Sequence, residues 1–254
     1  EPRALSGTGL LLSSDWSAVN YGHFMLDALP RLHLFEQAGF SWSDVDHVYC
    51  ASQTPNKASA LLERFGVPVD RCIFEPLAHD GVVRFDRLLV PSFPGVKRNY
   101  PEWTPKFLQR ALDSPLAPPE RALYVTRGGG QRKVRNEAEL FPILDQFGFE
   151  VYDPSTSSAP WKDFSQARFV VGAHGAGLTD LAFCQSSASV LELLPSDHQF
   201  PYYCSLSLSA KLRYAYLLGT SENVRDASAW GPSPHDFDID PDMFAQGLRW
   251  LLEG

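Results

Sequence analysis

The stretch Ala167 to Pro195, ARFVVGAHGAGLTDLAFCQSSASVLELLP, constrains the fold more than any other. Arg168 to Val171 is a short apolar, β-branched run; Gly172, Gly175 and Gly177 bracket a turn; Leu178 to Phe183 reads as the first turns of a helix. Ser189 to Leu194 reads as the next buried strand and carries Glu192. A strand that enters a glycine turn and leaves as a helix leaves amides unpaired and a positive dipole end over the strand's carboxyl edge, which suits a phosphate. In an open parallel sheet ligands bind beyond that edge, so His174, Gly175, Ala176, Gly177 and Glu192 are expected at one anion site. The same glycines would equally serve close strand-to-helix packing with His174 capping the turn.

The rest of the chain repeats this alternation. Leu10 to Leu12 reads as a strand, and Asn20 to Gln37 as an amphipathic helix stopped by Gly39. His47 to Ala51 is a strand, Lys57 to Phe65 a helix, Arg71 to Phe74 and Val82 to Val90 strands, and Thr104 to Leu112 a helix. Three prolines in Ser114 to Glu120 exclude helix and inner strand, so the boundary is set there, giving domains 1–115 and 120–254. Alternation then resumes: strand Ala122 to Thr126, helix Asn136 to Phe147, strand Glu150 to Tyr152 and a short helix Trp161 to Gln166. After the central stretch come helix Pro201 to Lys211 and strand Arg213 to Leu218. Ser221 to Asp240 is a loop, and a closing helix, Asp242 to Leu252, opens behind Pro241. The pattern predicts an α/β chain of two Rossmann-like halves, each with a parallel sheet covered on both faces.

Net charge is −8, which argues against a general nucleic-acid binder. Yet Arg121, Arg127, Arg132, Lys133 and Arg135 lie within fifteen positions, so one basic segment of an acidic chain is expected to hold a small anion. Arg127 leaves a strand end, Gly128 to Gly130 free the backbone, Arg132 follows, and Asn136 opens a helix; two guanidinium forks beside glycine amides form a diphosphate receptor, or else a basic surface loop. Asn20, His23, Asp27 and Arg31 fall on one helical stripe among Trp16, Tyr21, Phe24 and Met25. That stripe reads either as catalytic or as a solvated face with Asn20 as N-cap and an Asp27 to Arg31 ion pair. Asp44 and Asp46, and Asp236, Asp238 and Asp240, lack the context of metal motifs and read as loops, so no metal site is expected. Cys50 and Cys184 read as buried thiols. No stretch is apolar enough to span a bilayer. Because the chain opens on Glu1, it is expected to be a domain of something longer.

Four segments in order resemble glycosyltransferase family 61: Asn20-x-x-His23-x-x-x-Asp27 with Leu29-Pro30-Arg31; Arg127 with Arg132 and Asn136-Glu137; HGAG at His174 to Gly177; and Glu192-Leu-Leu-Pro195. Two departures are Asp180, where the family usually has Asn, and the region around Trp161-Lys162, which replaces a common Glu-Gln pair. The resemblance implies a GT-B fold with sheets facing an interdomain cleft, and inversion at the anomeric carbon without an essential metal. It implies a nucleotide-sugar donor, a UDP-sugar, on the C-terminal domain and a glycan acceptor on the N-terminal one. His23 and Asp27 would be the catalytic residues and Asn20 and Arg31 would lie on the acceptor side. Arg127, Arg132, Asn136, His174, Gly175, Ala176, Gly177 and Glu192 would bind donor, with Glu192 accepting from ribose or base. Polysaccharide biosynthesis in the cytoplasm, peripheral to a membrane assembly or alongside other transferase domains, is the expected setting, with the secretory lumen left open. The alternatives are a non-catalytic nucleotide-sugar or glycan-binding subunit of the same fold, and an NAD oxidoreductase, which the lack of GxGxxG after the first strand of either half disfavours.

Overall fold

A computed structural model describes residues 3–76, 81–97, 99–113, 116–223 and 233–253. The chain divides into two compact units, Glu1–Ala111 and Leu112–Gly254, each built on a parallel sheet.

In the first unit the strands are β1 (Arg3–Leu11), β2 (His47–Tyr49), β3 (Cys72–Ile73) and β4 (Val83–Leu89), ordered β3-β2-β1-β4 and all parallel. The helices are α1 (Tyr21–His23), α2 (Arg31–Gln37), α3 (Pro55–Arg64) and α4 (Trp103–Leu108). β1 extends well beyond the expected Leu10 to Leu12, because its polar first half pairs with β4 through a register shift between Leu5 and Thr8. Gly7 makes that shift at φ 94°, where a side chain would be strained. Leu10, Met25, Leu29, Leu32, Leu61 and Leu62 are among this unit's fully buried side chains.

The single helix expected from Asn20 to Gln37 is interrupted. Phe24–Ala28 is a π-helical turn, closed by Leu29 N–H donating to Phe24 C=O at 2.9 Å, and Pro30, which has no N–H to donate, separates it from α2. The wider turn inserts one residue into the helical register, so a stripe calculated on a regular helix drifts by about 100° after it.

In the second unit the strands are β5 (Arg121–Val125), β6 (Glu150–Tyr152), β7 (Ala167–Ala173), β8 (Ser189–Pro195) and β9 (Arg213–Gly219), ordered β6-β5-β7-β8-β9 and all parallel. α5 (Glu137–Gln146), α6 (Pro160–Ser165), α7 (Tyr202–Ser209) and α8 (Pro241–Leu252) cover it. Every residue of β8 is buried, as a central strand clothed on both faces must be. α8 opens on Asp240, whose carboxylate accepts from the Asp242 and Met243 amides, and buries Phe244, Leu248 and Leu251 at i, i+4 and i+7 against α5, β8 and β9. It covers this unit's own sheet.

After β7 the chain forms a 3₁₀ helix, Ala176–Phe183, in place of the expected α-helix. The reading of Ser221 to Asp240 as one loop is incomplete: Phe237 pairs with the stretch around Val134 and Asp238 with Thr220, while 224–232 lie outside the described residues. Of the proline-rich Ser114 to Glu120, residues 114 and 115 also lie outside them. Among the described residues no helix is long and apolar enough to cross a membrane.

Candidate functional site

Each sheet has a point where the connections reverse direction. In the first unit it lies between β1 and β4, in the second between β5 and β7, and the crevice beyond the carboxyl ends at such a point is where open α/β sheets bind ligands. The residues singled out in the sequence gather at these two places.

Beyond β1 the chain turns at Trp16, an exposed indole held at φ 65°. Trp16 C=O accepts the Asn20 amide at 2.9 Å. The Asn20 side chain caps the helix that follows, accepting from Gly22 N–H at 2.8 Å and His23 N–H at 3.3 Å, as the capping reading has it. His23 Nδ1 lies 2.6 Å from Asp27 Oδ2, and Asp27 Oδ1 is 3.4 Å from the Tyr100 hydroxyl. Asp27 is buried and His23 half-buried.

Arg31 departs from the stripe because of the π turn and Pro30. It is buried at 3% exposure and gives Nε and a terminal nitrogen to Pro91 C=O, and its other terminal nitrogen to Ser13 C=O. It thus clasps the chain leaving β1 to the chain leaving β4, with its guanidinium over the Phe93 ring. The family resemblance puts Arg31 on the acceptor side; its donors are instead occupied within the unit. Burial lowers its pKa.

Arg127 follows β5 and its NH1 donates to His174 C=O, just after β7, at 2.6 Å. The guanidinium fills the place a side chain at residue 175 would take: a Cβ built on Gly175 would stand 1.4 Å from Arg127 NH1, so Arg127 keeps this position only opposite a glycine. Arg132, held at φ 59°, donates to Ser233 C=O at 2.9 Å. Ser233 is in turn fixed by Asp197, which accepts its hydroxyl, and by His198 Nδ1, which accepts its amide.

Of the basic segment, Arg121 pairs with Glu150 and Asp163, and Arg135 with Glu222 and Asp238. Arg127 and Arg132 form no ion pair among the described residues, and the Nε of each is buried without a hydrogen-bond partner. Burial, then repulsion from Arg132, pushes the Arg127 pKa down to about 10 against a weaker pull from Tyr203 and Asp236, and burial lowers that of Arg132 against a weaker pull from Tyr203 and Asp197. Two desolvated cations close enough to repel are an unstable arrangement that a bound anion would relieve.

The remaining expected contacts distribute differently. Both ends of the Asn136 amide are occupied by the backbone of Ile239, Nδ2 donating to its carbonyl at 2.8 Å and Oδ1 accepting its amide at 3.0 Å, so this side chain fastens the unit internally and is not presented to a donor. Glu192 is wholly buried, its Oε1 2.5 Å from His174 Nδ1 and its Oε2 accepting from the Tyr214 hydroxyl at 2.5 Å. The expected ribose or base contact has no exposed oxygen to be made on. His174 is also buried, edge-on to His198 and Tyr203. Ala176 and Gly177 are half-buried at the start of the 3₁₀ helix, whose first internal bond is Leu178 N–H to Gly175 C=O. Asp180 is buried within that helix, Trp161 is buried in α6, and Lys162 pairs with Asp113.

Asp44 caps a 3₁₀ turn with Ser41, Asp46 accepts the Thr8 amide, Asp236 accepts the Lys133 amide, and Asp238 and Asp240 have the partners given above. Among the described residues no group of three His, Cys, Asp or Glu side chains gathers as a metal site. Burial pushes the Cys50 and Cys184 thiols up, keeping them neutral.

Sequence reasoning misses the segment that completes the second crevice: Asp197, His198, Phe200, Tyr202 and Tyr203 after β8. Its signal is present in the run HQFPYY directly behind a buried strand end, where aromatic rings meet any ligand bound at the carboxyl edge.

The sequence model of the family described as glycosyltransferase 61 matches residues 21–191. That span takes in His23, Asp27, Arg127, Arg132 and the HGAG turn, and stops one residue before Glu192. No curated protein matches the chain at a significant level.

Proposed function

This chain belongs to glycosyltransferase family 61, and from that premise we propose that it is an inverting transferase of the GT-B kind. The Leu112–Gly254 unit would bind the diphosphate of a nucleotide sugar, and the Glu1–Ala111 unit would supply the base that activates a glycan hydroxyl. The observation that carries this reading is the pair Arg127 and Arg132, half-buried, close enough to repel, each with a buried Nε that has no hydrogen-bond partner and neither in an ion pair among the described residues, beside a glycine turn at a switch point.

In the reaction, Asp27 accepts the Nδ1–H of His23, which leaves Nε2 as the ring nitrogen able to take a proton. The acceptor hydroxyl gives its proton to Nε2 as its oxygen bonds to the anomeric carbon. The bond from that carbon to the diphosphate oxygen breaks on the opposite side, and the electron pair leaves with the diphosphate. Arg127, Arg132 and the amides of Gly175, Ala176 and Gly177 stabilise that charge, the task a divalent metal performs in other transferases. A UDP-sugar donor and a polysaccharide acceptor are the proposed substrates.

The test is a transfer assay over a panel of nucleotide sugars and glycan acceptors, run on wild type, His23→Ala and Asp27→Asn. Each variant is expected to lose roughly 10²–10⁴-fold in kcat with little change in donor KM. Near wild-type kcat in both would overturn the base assignment. Donor binding with no transfer to any acceptor would point instead to a non-catalytic binding subunit.

A further inference from the structure

Glu192 has no exposed surface, and a carboxylate taken fully from water costs several kcal/mol unless each oxygen is bonded. Both are. In register Glu192 lies opposite Gly172 on β7 and Tyr216 on β9; His174 stands two residues past the first and Tyr214 two before the second, so all three side chains share one face of the sheet. Burial and the adjoining carboxylate push the Tyr214 hydroxyl well above its ordinary pKa, so it stays a donor. The chain continues through the backbone of His174, whose amide donates to Leu193 C=O at 2.9 Å and whose carbonyl accepts Arg127 NH1 at 2.6 Å. One line of hydrogen bonds therefore runs across β9, β8 and β7 to the residue that leaves β5. Among the described residues, His174 C=O is the one acceptor the Arg127 guanidinium has, so where that carbonyl sits decides where the charge sits.

We propose that Glu192 and Tyr214 are positioning residues of the donor site: by holding the His174 ring they fix the carbonyl that seats Arg127, and neither touches the donor. This rests on the reading of the Arg127 and Arg132 crevice as a diphosphate site.

The experiment titrates inorganic pyrophosphate and, separately, UDP into wild type, Glu192→Ala, Glu192→Gln, Tyr214→Phe, Arg127→Met and the Glu192→Ala/Arg127→Met double variant by calorimetry. The imidazole N–H protons are followed by NMR. Glu192→Ala should weaken both probes about tenfold and lose a downfield imidazole N–H resonance. Glu192→Gln, whose amide oxygen still accepts from Nδ1–H, should stay within about threefold of wild type. The double variant should bind no more weakly than Arg127→Met, because both changes act on the same guanidinium. If Glu192→Ala does not fold, Tyr214→Phe decides the matter, with an expected loss of about threefold that vanishes in the Arg127→Met background. Wild-type affinity in Glu192→Ala, or losses that add to those of Arg127→Met, would overturn the proposal. So would a loss for UDP without one for pyrophosphate, which would put Glu192 against the nucleoside. If wild type binds neither probe, the diphosphate site itself is refuted and this inference with it.

Discussion

Both sheets carry an arginine at the switch point, and the two are used in opposite ways. Arg31 lies between the chains leaving β1 and β4 and gives nitrogen donors to two carbonyls; Arg127 lies between the chains leaving β5 and β7, gives one nitrogen to one carbonyl, and keeps a buried Nε without a partner. A buried guanidinium with its donors satisfied is part of the frame. One left short, with a second beside it, is what the proposed diphosphate site rests on. Residue type and topological position are the same, and the count of partners separates clasp from seat.

The sharpest break of that comparison is stability. Arg31→Met should cost about 3–4 kcal/mol in chemical denaturation, since it leaves the Ser13 and Pro91 carbonyls without their charge-assisted donors. Arg127→Met, in which relief of a partly desolvated and repelled charge offsets the lost bond to His174 C=O, should cost less than about 1 kcal/mol in the absence of ligand. Equal losses in the two variants would erase the distinction.

Next in size is Gly175→Ala. Its Cβ would displace the far end of a flexible side chain, so the fold should survive while UDP affinity falls about 100-fold, the worth of the charge-assisted bonds Arg127 would make. Retained affinity would mean that the guanidinium binds from elsewhere.

A smaller effect sharpens the seat. Because the Arg127 pKa is lowered to about 10, the folded chain binds fewer protons than the unfolded chain above that value. The cost of the buried charge is therefore present in full below about pH 10 and is relieved as pH rises from there toward the ordinary arginine value. The stability of ligand-free wild type should therefore rise relative to Arg127→Met as pH climbs through about 10, read by chemical denaturation across that range. The smallest effect is Asn20→Ala, which should cost about 1 kcal/mol through the lost cap and lower kcat modestly by loosening the turn that carries His23.

The inner strands are legible in the sequence because a parallel sheet covered on both faces demands apolar, β-branched runs, and β8, buried throughout, falls almost where the residues place it. The Arg127 and HGAG segments are legible as glycine turns at strand ends, and in the structure they meet, Arg127 donating to His174 C=O. What is hidden depends on contacts between residues far apart in the chain. No spacing reveals that Pro91 and Ser13 await Arg31, that Ile239 pairs with Asn136, or that Tyr214 and His174 take both oxygens of Glu192. The π turn at Phe24–Ala28 shows why a stripe of polar residues overcounts: it keeps His23 with Asp27 and turns Arg31 inward.

The most direct measurement on the arginine seat is the titration of UDP into wild type and into the Arg127→Met/Arg132→Met variant, with melting temperature recorded before ligand is added. A seat held open for an anion predicts a loss of at least about 100-fold in affinity with a melting temperature within a few degrees of wild type, since relief of the two charges offsets their bonds to His174 and Ser233. Unchanged affinity in the double variant, or a protein that fails to fold without the two charges, would contradict it.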